Sequence, residues 1–193
     1  MAGVELRAAA DGKGPGTCVG YAAVFEKFSE DLGHFREKVA RGAFAACLGQ
    51  DVRALANHDP NLLLGRTKSG TCRMAEDELG LRVEIDLPDT STGRDIAEQI
   101  RRGDMDGMSF SFTTDADSWD YSGEVPIRTL LKVRDLYDFG PVTFPAYTDT
   151  KAAMRSLDAH RPGATSGPPA RVADSLRSAW DRQRLAEAAL LPS

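Results

Sequence analysis

The clearest pattern in the chain is the alternation of Leu81, Val83, Ile85 and Leu87 with Arg82, Glu84 and Asp86, which predicts a half-buried strand over residues 80–87. Residues 71–76 precede it as the other arm of a hairpin. Residues 17–25 predict a first strand, with Gly20 at a bulge, and Val52 to Asn57 a short one that delivers His58 before Pro60 stops the ladder. In residues 108–113 the side chains divide: Phe110 and Phe112 point one way, Ser109, Ser111 and Thr113 the other. Further strands are expected around 126–134 and 136–144. Ala43 to Leu48 reads as a brief helix closed by Gly49. Thr92-Gly93-Arg94-Asp95 resembles a capping box opening a helix with Ile96 and Ile100 on one face and Gly103 at its end. Residues 26–42 and 65–70 are polar and glycine-punctuated and predict loops. Short strands with two intervening helices predict a mainly β (α+β) fold, a small closed antiparallel β-barrel flanked by short helices.

The pattern changes after about Leu157. Arg161-Pro162-Gly163-Ala164-Thr165-Ser166-Gly167-Pro168-Pro169 has the composition of a linker, and Val172, Leu176, Ala179, Trp180, Ala186 and Leu190 then make an apolar helical stripe. The expected organisation is an N-terminal arm (1–16), a domain (17–157), a Pro/Gly-rich linker (158–171) and an amphipathic helical tail (172–193).

Composition narrows the function classes. A chain of 193 residues with net charge −5 is not built chiefly for nucleic acid. No apolar run approaches the roughly 20 residues of a membrane span, and the first residues lack the apolar core of a signal peptide. The tail from residue 159 carries five arginines against three acids, a weakly basic end on an acidic body. Cys18, Cys47 and Cys72 are far apart and have no zinc-ligand spacing, so they read as reduced, buried thiols, and no metal or other cofactor is expected.

Candidate chemistry rests on few residues. There are three histidines, and only His58 stands at a strand end, in Asn57-His58-Asp59-Pro60. Asp59 is a poor orienter for it, because neighbouring strand side chains face opposite ways. Ser109 follows the tight Asp106-Gly107 turn on the polar face of an otherwise apolar strand, with Ser111 as its rival. Together a histidine and such a serine supply the base and nucleophile of a hydrolase. A third member would accept the other imidazole N–H. Asp135 and Asp138 both qualify and would face opposite sides of a regular strand. Asp138, nearer the Gly140-Pro141 break, is preferred. No Gly-x-Ser-x-Gly elbow and no phosphate loop is present. Backbone N–H groups or an arginine such as Arg66 are the candidate oxyanion donors.

Several segments in order resemble the prohead proteases of tailed bacteriophages: Gly20-Tyr21-Ala22-Ala23-Val24-Phe25, Phe35-Arg36-Glu37 to Gly42-Ala43-Phe44, Asn57-His58-Asp59 with Leu64-Gly65-Arg66-Thr67, Gly107-Met108-Ser109-Phe110, and Val142-Thr143-Phe144-Pro145-Ala146-Tyr147. The resemblance spans residues 17–157. It implies a fold similar to herpesvirus assembly proteases. It also implies a serine endopeptidase with His58 as base and Ser109 as nucleophile; an acidic residue before the last motif falls on Asp138. Ser111 stands where the family commonly has glycine. The implied partner is the major capsid protein with its scaffolding segment, cleaved inside the assembling prohead in the bacterial host cytoplasm. Self-cleavage and self-association are compatible, and no nucleic acid or membrane partner is expected. The tail is either a tether to helical scaffold or a helix packed on the barrel or left disordered. Two competing readings of the chain are a non-catalytic capsid assembly factor on the same fold and a general serine esterase.

Overall fold

The computed structural model describes residues 4–9, 14–32 and 34–144. The expected linker and helical tail lie outside the described residues, as does the end of the last motif from Pro145. The elements are β1 (Glu5–Arg7), β2 (Thr17–Val24), β3 (Arg36–Val39), β4 (Arg53–Leu55), a 3-10 turn (Ala56–His58), β5 (Leu63–Arg66), β6 (Cys72–Glu76), β7 (Gly80–Asp86), α1 (Ser91–Arg102), β8 (Gly107–Asp120) and β9 (Ile127–Val142).

The closed antiparallel barrel is not formed. The strands make two open sheets, one ordered β1-β2-β7-β6 and one in which β9 pairs with β3, β4 and β8, with β5 beyond β4. A single bridge, Phe25 to Val39, joins a residue just beyond β2 to β3. Nor is the pairing wholly antiparallel, since β3 and β4 both run parallel to β9. Alternation within a strand shows which face is buried. It carries no information on which distant strand completes the ladder, and closure was therefore outside its reach.

Strand β9 organises the second sheet. Along one edge it pairs with β8 from Gly107↔Val142 to Asp120↔Ile127. Its other edge is shared: β3 covers 127–130 and β4 covers 138–139. Between them the Gln50 side chain serves as a substitute strand, donating to the Arg134 carbonyl (2.7 Å) and accepting from the Leu136 N–H (3.0 Å). The expected helix at 43–48 is instead a run of tight turns over 41–49, bonded three residues apart (Cys47 N–H to Phe44 O, 2.9 Å). Val133 N–H donates to Ala43 O (2.8 Å), so this segment too is bound to β9.

Helix α1 is the only α-helix among the described residues. Its cap is Thr90, whose hydroxyl accepts the Gly93 N–H, and not Thr92. Thr90 is still extended after Pro88-Asp89, the geometry an N-cap requires. Gly103 closes the helix in the left-handed conformation. Ile96, Ala97 and Ile100 pack into the same core as Val83 and Ile85 of β7 and as Phe110, Leu130, Val133 and Phe139 of β8 and β9. That shared core fixes the second sheet on which the candidate residues stand.

Candidate active site

The predicted strand 52–57 is shorter in the structure. After Leu55 the chain leaves β9 and crosses over it. The Leu55 carbonyl oxygen lies 1.9 Å from where a Cβ on residue 140 would stand, so only glycine permits the crossing. Ala56 is fully buried. Asn57 (φ 51°) and His58 (φ 57°) then take successive left-handed conformations, which cost roughly 1–2 kcal/mol per residue for ordinary side chains. Several bonds hold the turn, beginning with the Ala56 N–H, which donates to Leu62 O (3.1 Å). The Asp59 N–H donates to Ala56 O (3.0 Å), and the Asn57 side-chain carbonyl accepts the N–H of Thr143 (2.9 Å), just past the end of β9.

The result is that the His58 imidazole meets Asp138, with Nδ1 2.5 Å from Oδ1. The Asp138 side chain is 10 % exposed and that of His58 32 %. One partner is thus shielded and the other has a face to solvent. Asp59 turns away, accepting from the Asn61 backbone and side chain (2.8 and 2.9 Å).

Ser109 and Ser111 lie on the face that carries Asp138. Ser111 pairs directly with Asp138 and Ser109 with Gly140, whereas Phe110 and its partner Phe139 are buried on the opposite face. Among the described residues His58 hydrogen-bonds through its side chain to Asp138 and to neither serine.

Asp135 and Asp138 would face opposite ways on a regular strand, but β9 is irregular between them. Tyr137 has no partner in the register, which steps from Ser111↔Asp138 to Phe112↔Leu136 and Thr113↔Asp135. This bulge returns Asp135 to the same face as Asp138. Partners separate the two instead. Asp135 accepts from the Thr113 hydroxyl (2.7 Å) and from Arg134 (3.0 Å), and those bonds hold its carboxyl below the usual range.

Arg66, a candidate oxyanion donor, is engaged elsewhere. Its Nε (2.8 Å) and Nη2 (2.5 Å) grip Asp51, whose carboxyl the guanidinium pulls down to about 2. The residues that sequence reasoning missed are Asn57, Gly140 and Thr143, which meet at the His58 turn: Leu55 passes over Gly140, and Asn57 accepts the Thr143 N–H. One signal was present: asparagine is, after glycine, among the residues most tolerant of a left-handed backbone, and here it precedes the only histidine at a strand end.

A family model described as caudovirus prohead serine protease matches residues 4–162. No curated protein and no solved structure matches the chain.

Proposed function

The chain belongs to the caudovirus prohead serine protease family and is a serine peptidase; on that premise we propose that Ser109, His58 and Asp138 are its nucleophile, base and orienting carboxylate, and that it cleaves the scaffolding segment of the phage major capsid protein. The observation that carries this reading is the 2.5 Å contact of His58 with Asp138 on the face shared with Ser109.

Spacing favours Ser109 over Ser111. A carboxylate, an imidazole and a hydroxyl in line need room for one ring and two hydrogen bonds of about 2.7–3 Å each. Ser111 is directly opposite Asp138, too close for a ring to intervene. Ser109 is two residues further along, about 6.7 Å of strand, and the residue across from it is Gly140, over which the Leu55 backbone passes on its way to the His58 turn.

The chemistry follows from the tautomer. Asp138 accepts the Nδ1–H of His58, which leaves Nε2 unprotonated as the base. As Ser109 Oγ attacks the scissile carbonyl, its proton passes to Nε2. Collapse of the tetrahedral adduct breaks the C–N bond, and Nε2 returns the proton to the leaving amine. Water, deprotonated by His58 in turn, attacks the acyl carbon; collapse breaks the C–Oγ bond, and Nε2 returns the proton to Ser109 Oγ. The His58–Ser109 hydrogen bond is expected to form as substrate binds, a common tightening between free and bound enzymes.

The site of action in this reading is the interior of the assembling prohead in the bacterial host, where confinement raises the effective substrate concentration. No helix of the described residues is long and apolar enough to cross a membrane. Co-expression with the capsid protein tests the reading. Wild type should shorten the capsid protein by its scaffolding segment, and Ser109→Ala and His58→Ala should leave it full length. A full-length capsid product with active wild type would contradict the proposed substrate.

A further inference from the structure

We infer that Asn57 is the positioning residue for the His58 base, acting through both its backbone and its side chain; this rests on the reading of His58 as base.

The His58 turn is attached to the sheet at few places. Upstream, Leu55 crosses Gly140 and Ala56 is buried beneath it. Downstream, Asp59 turns into a local loop with Asn61. Between these, the Asn57 carbonyl accepts the Thr143 N–H at 2.9 Å, the one side-chain bond from Asn57 to the far end of β9. The segment that carries Asp138 is therefore tied to the chain leading into His58 at two places: at Asp138 and Phe139 by β4, and at Thr143, just past β9, by Asn57. The imidazole meets Asp138 at the first of these places, and the Asn57 bond at the second fixes the turn that carries it.

Asn57 is suited to the position for a second reason. Its φ of 51° and ψ of 28° are left-handed, and His58 follows with φ 57°. A short side-chain carbonyl and tolerance of that backbone occur together in asparagine and aspartate, and in few other residues. Glycine keeps the backbone and loses the acceptor. Alanine loses both. The two contributions can therefore be separated by substitution.

The test measures the rate at which a fluorophosphonate labels the nucleophile, per folded molecule, together with the low-field proton signal of the His58 Nδ1–H. Asn57→Gly should unfold near the wild-type temperature yet label about 10- to 100-fold more slowly, the scale expected when a catalytic group is displaced by about 1 Å. Its Nδ1–H signal should broaden or disappear. Asn57→Asp should restore both to near wild type. Labelling by Asn57→Gly at the wild-type rate, or by Asn57→Asp as slowly as Asn57→Gly, overturns the role. His58→Ala serves as the reference. If it labels as fast as wild type, the base assignment falls and the Asn57 role with it. A rate that depends on His58 but is indifferent to Asn57→Gly removes the Asn57 role alone.

Discussion

Leu55 and Gly140 occupy one another's space: the carbonyl oxygen of the first stands 1.9 Å from the absent Cβ of the second. The crossing places the His58 turn above β9, and it predicts the effect of a single methyl. Gly140→Ala should lift the turn and separate His58 from Asp138. We expect a loss of about 1–3 kcal/mol, typical of overpacking, and a fall in the labelling rate of the nucleophile of about 100-fold. Thermal unfolding and labelling rate, measured on the same sample, check both. A variant labelled at the wild-type rate would show that the crossing does not position the base.

Ser109 and Ser111 share a face, and the proposed mechanism assigns them different roles. Ser109→Ala should abolish processing, while Ser111→Ala should retain it within a few-fold, because Ser111 faces the carboxylate and Ser109 faces Gly140. Mass measurement of the capsid products distinguishes the two. Processing by Ser109→Ala with none by Ser111→Ala would reverse the assignment.

Asp138 and Asp135 offer a matched pair of carboxylates. Asp138→Asn should lower the rate by up to about 10⁴-fold, since an amide favours the wrong imidazole tautomer. Asp135→Asn removes a carboxylate bound to Thr113 and Arg134 and should change the rate little. Equal effects of the two substitutions on capsid processing would remove Asp138 from the mechanism.

Glu37 predicts a pH dependence unconnected with catalysis. It is 2 % exposed, accepts from Arg128 Nη1 at 3.0 Å, and shares that guanidinium with Asp117. Its second oxygen has no hydrogen-bond partner among the described residues. Desolvation outweighs the Arg128 attraction and pushes the carboxyl from 4.5 up to about 7. A carboxyl raised on folding favours the folded state most below its unfolded value, and that contribution is lost as pH rises through about 7. The change amounts to about 3 kcal/mol between those limits. Glu37→Gln should flatten the stability profile between pH 4.5 and 7, and denaturant unfolding across that window reads it. An unchanged slope would mean that Glu37 stays ionised throughout.

What was legible in the sequence was local. The alternation of Leu81, Val83 and Ile85 located β7, and the spacing of Ile96 and Ile100 with Gly103 located α1. Strand β3 was hidden because Arg36-Glu37-Lys38-Val39 reads as charged loop; its glutamate is buried against Arg128, 91 residues away. Strand β5 was hidden by Gly65, where a Cβ would press on the Thr71 carbonyl at 2.9 Å. The faces of Asp135 and Asp138 turned on one bulged residue, Tyr137, which no periodicity announces. The contacts of the His58 turn with Gly140 and Thr143 lie more than eighty residues beyond it, and so belong to tertiary structure.

The most direct test of the triad is to label the protein with a fluorophosphonate and map the modified residue by peptide mass spectrometry. The account predicts one adduct on Ser109, absent after His58→Ala and strongly reduced after Asp138→Asn. An adduct on Ser111, or labelling of Ser109 that persists undiminished without His58, would contradict it.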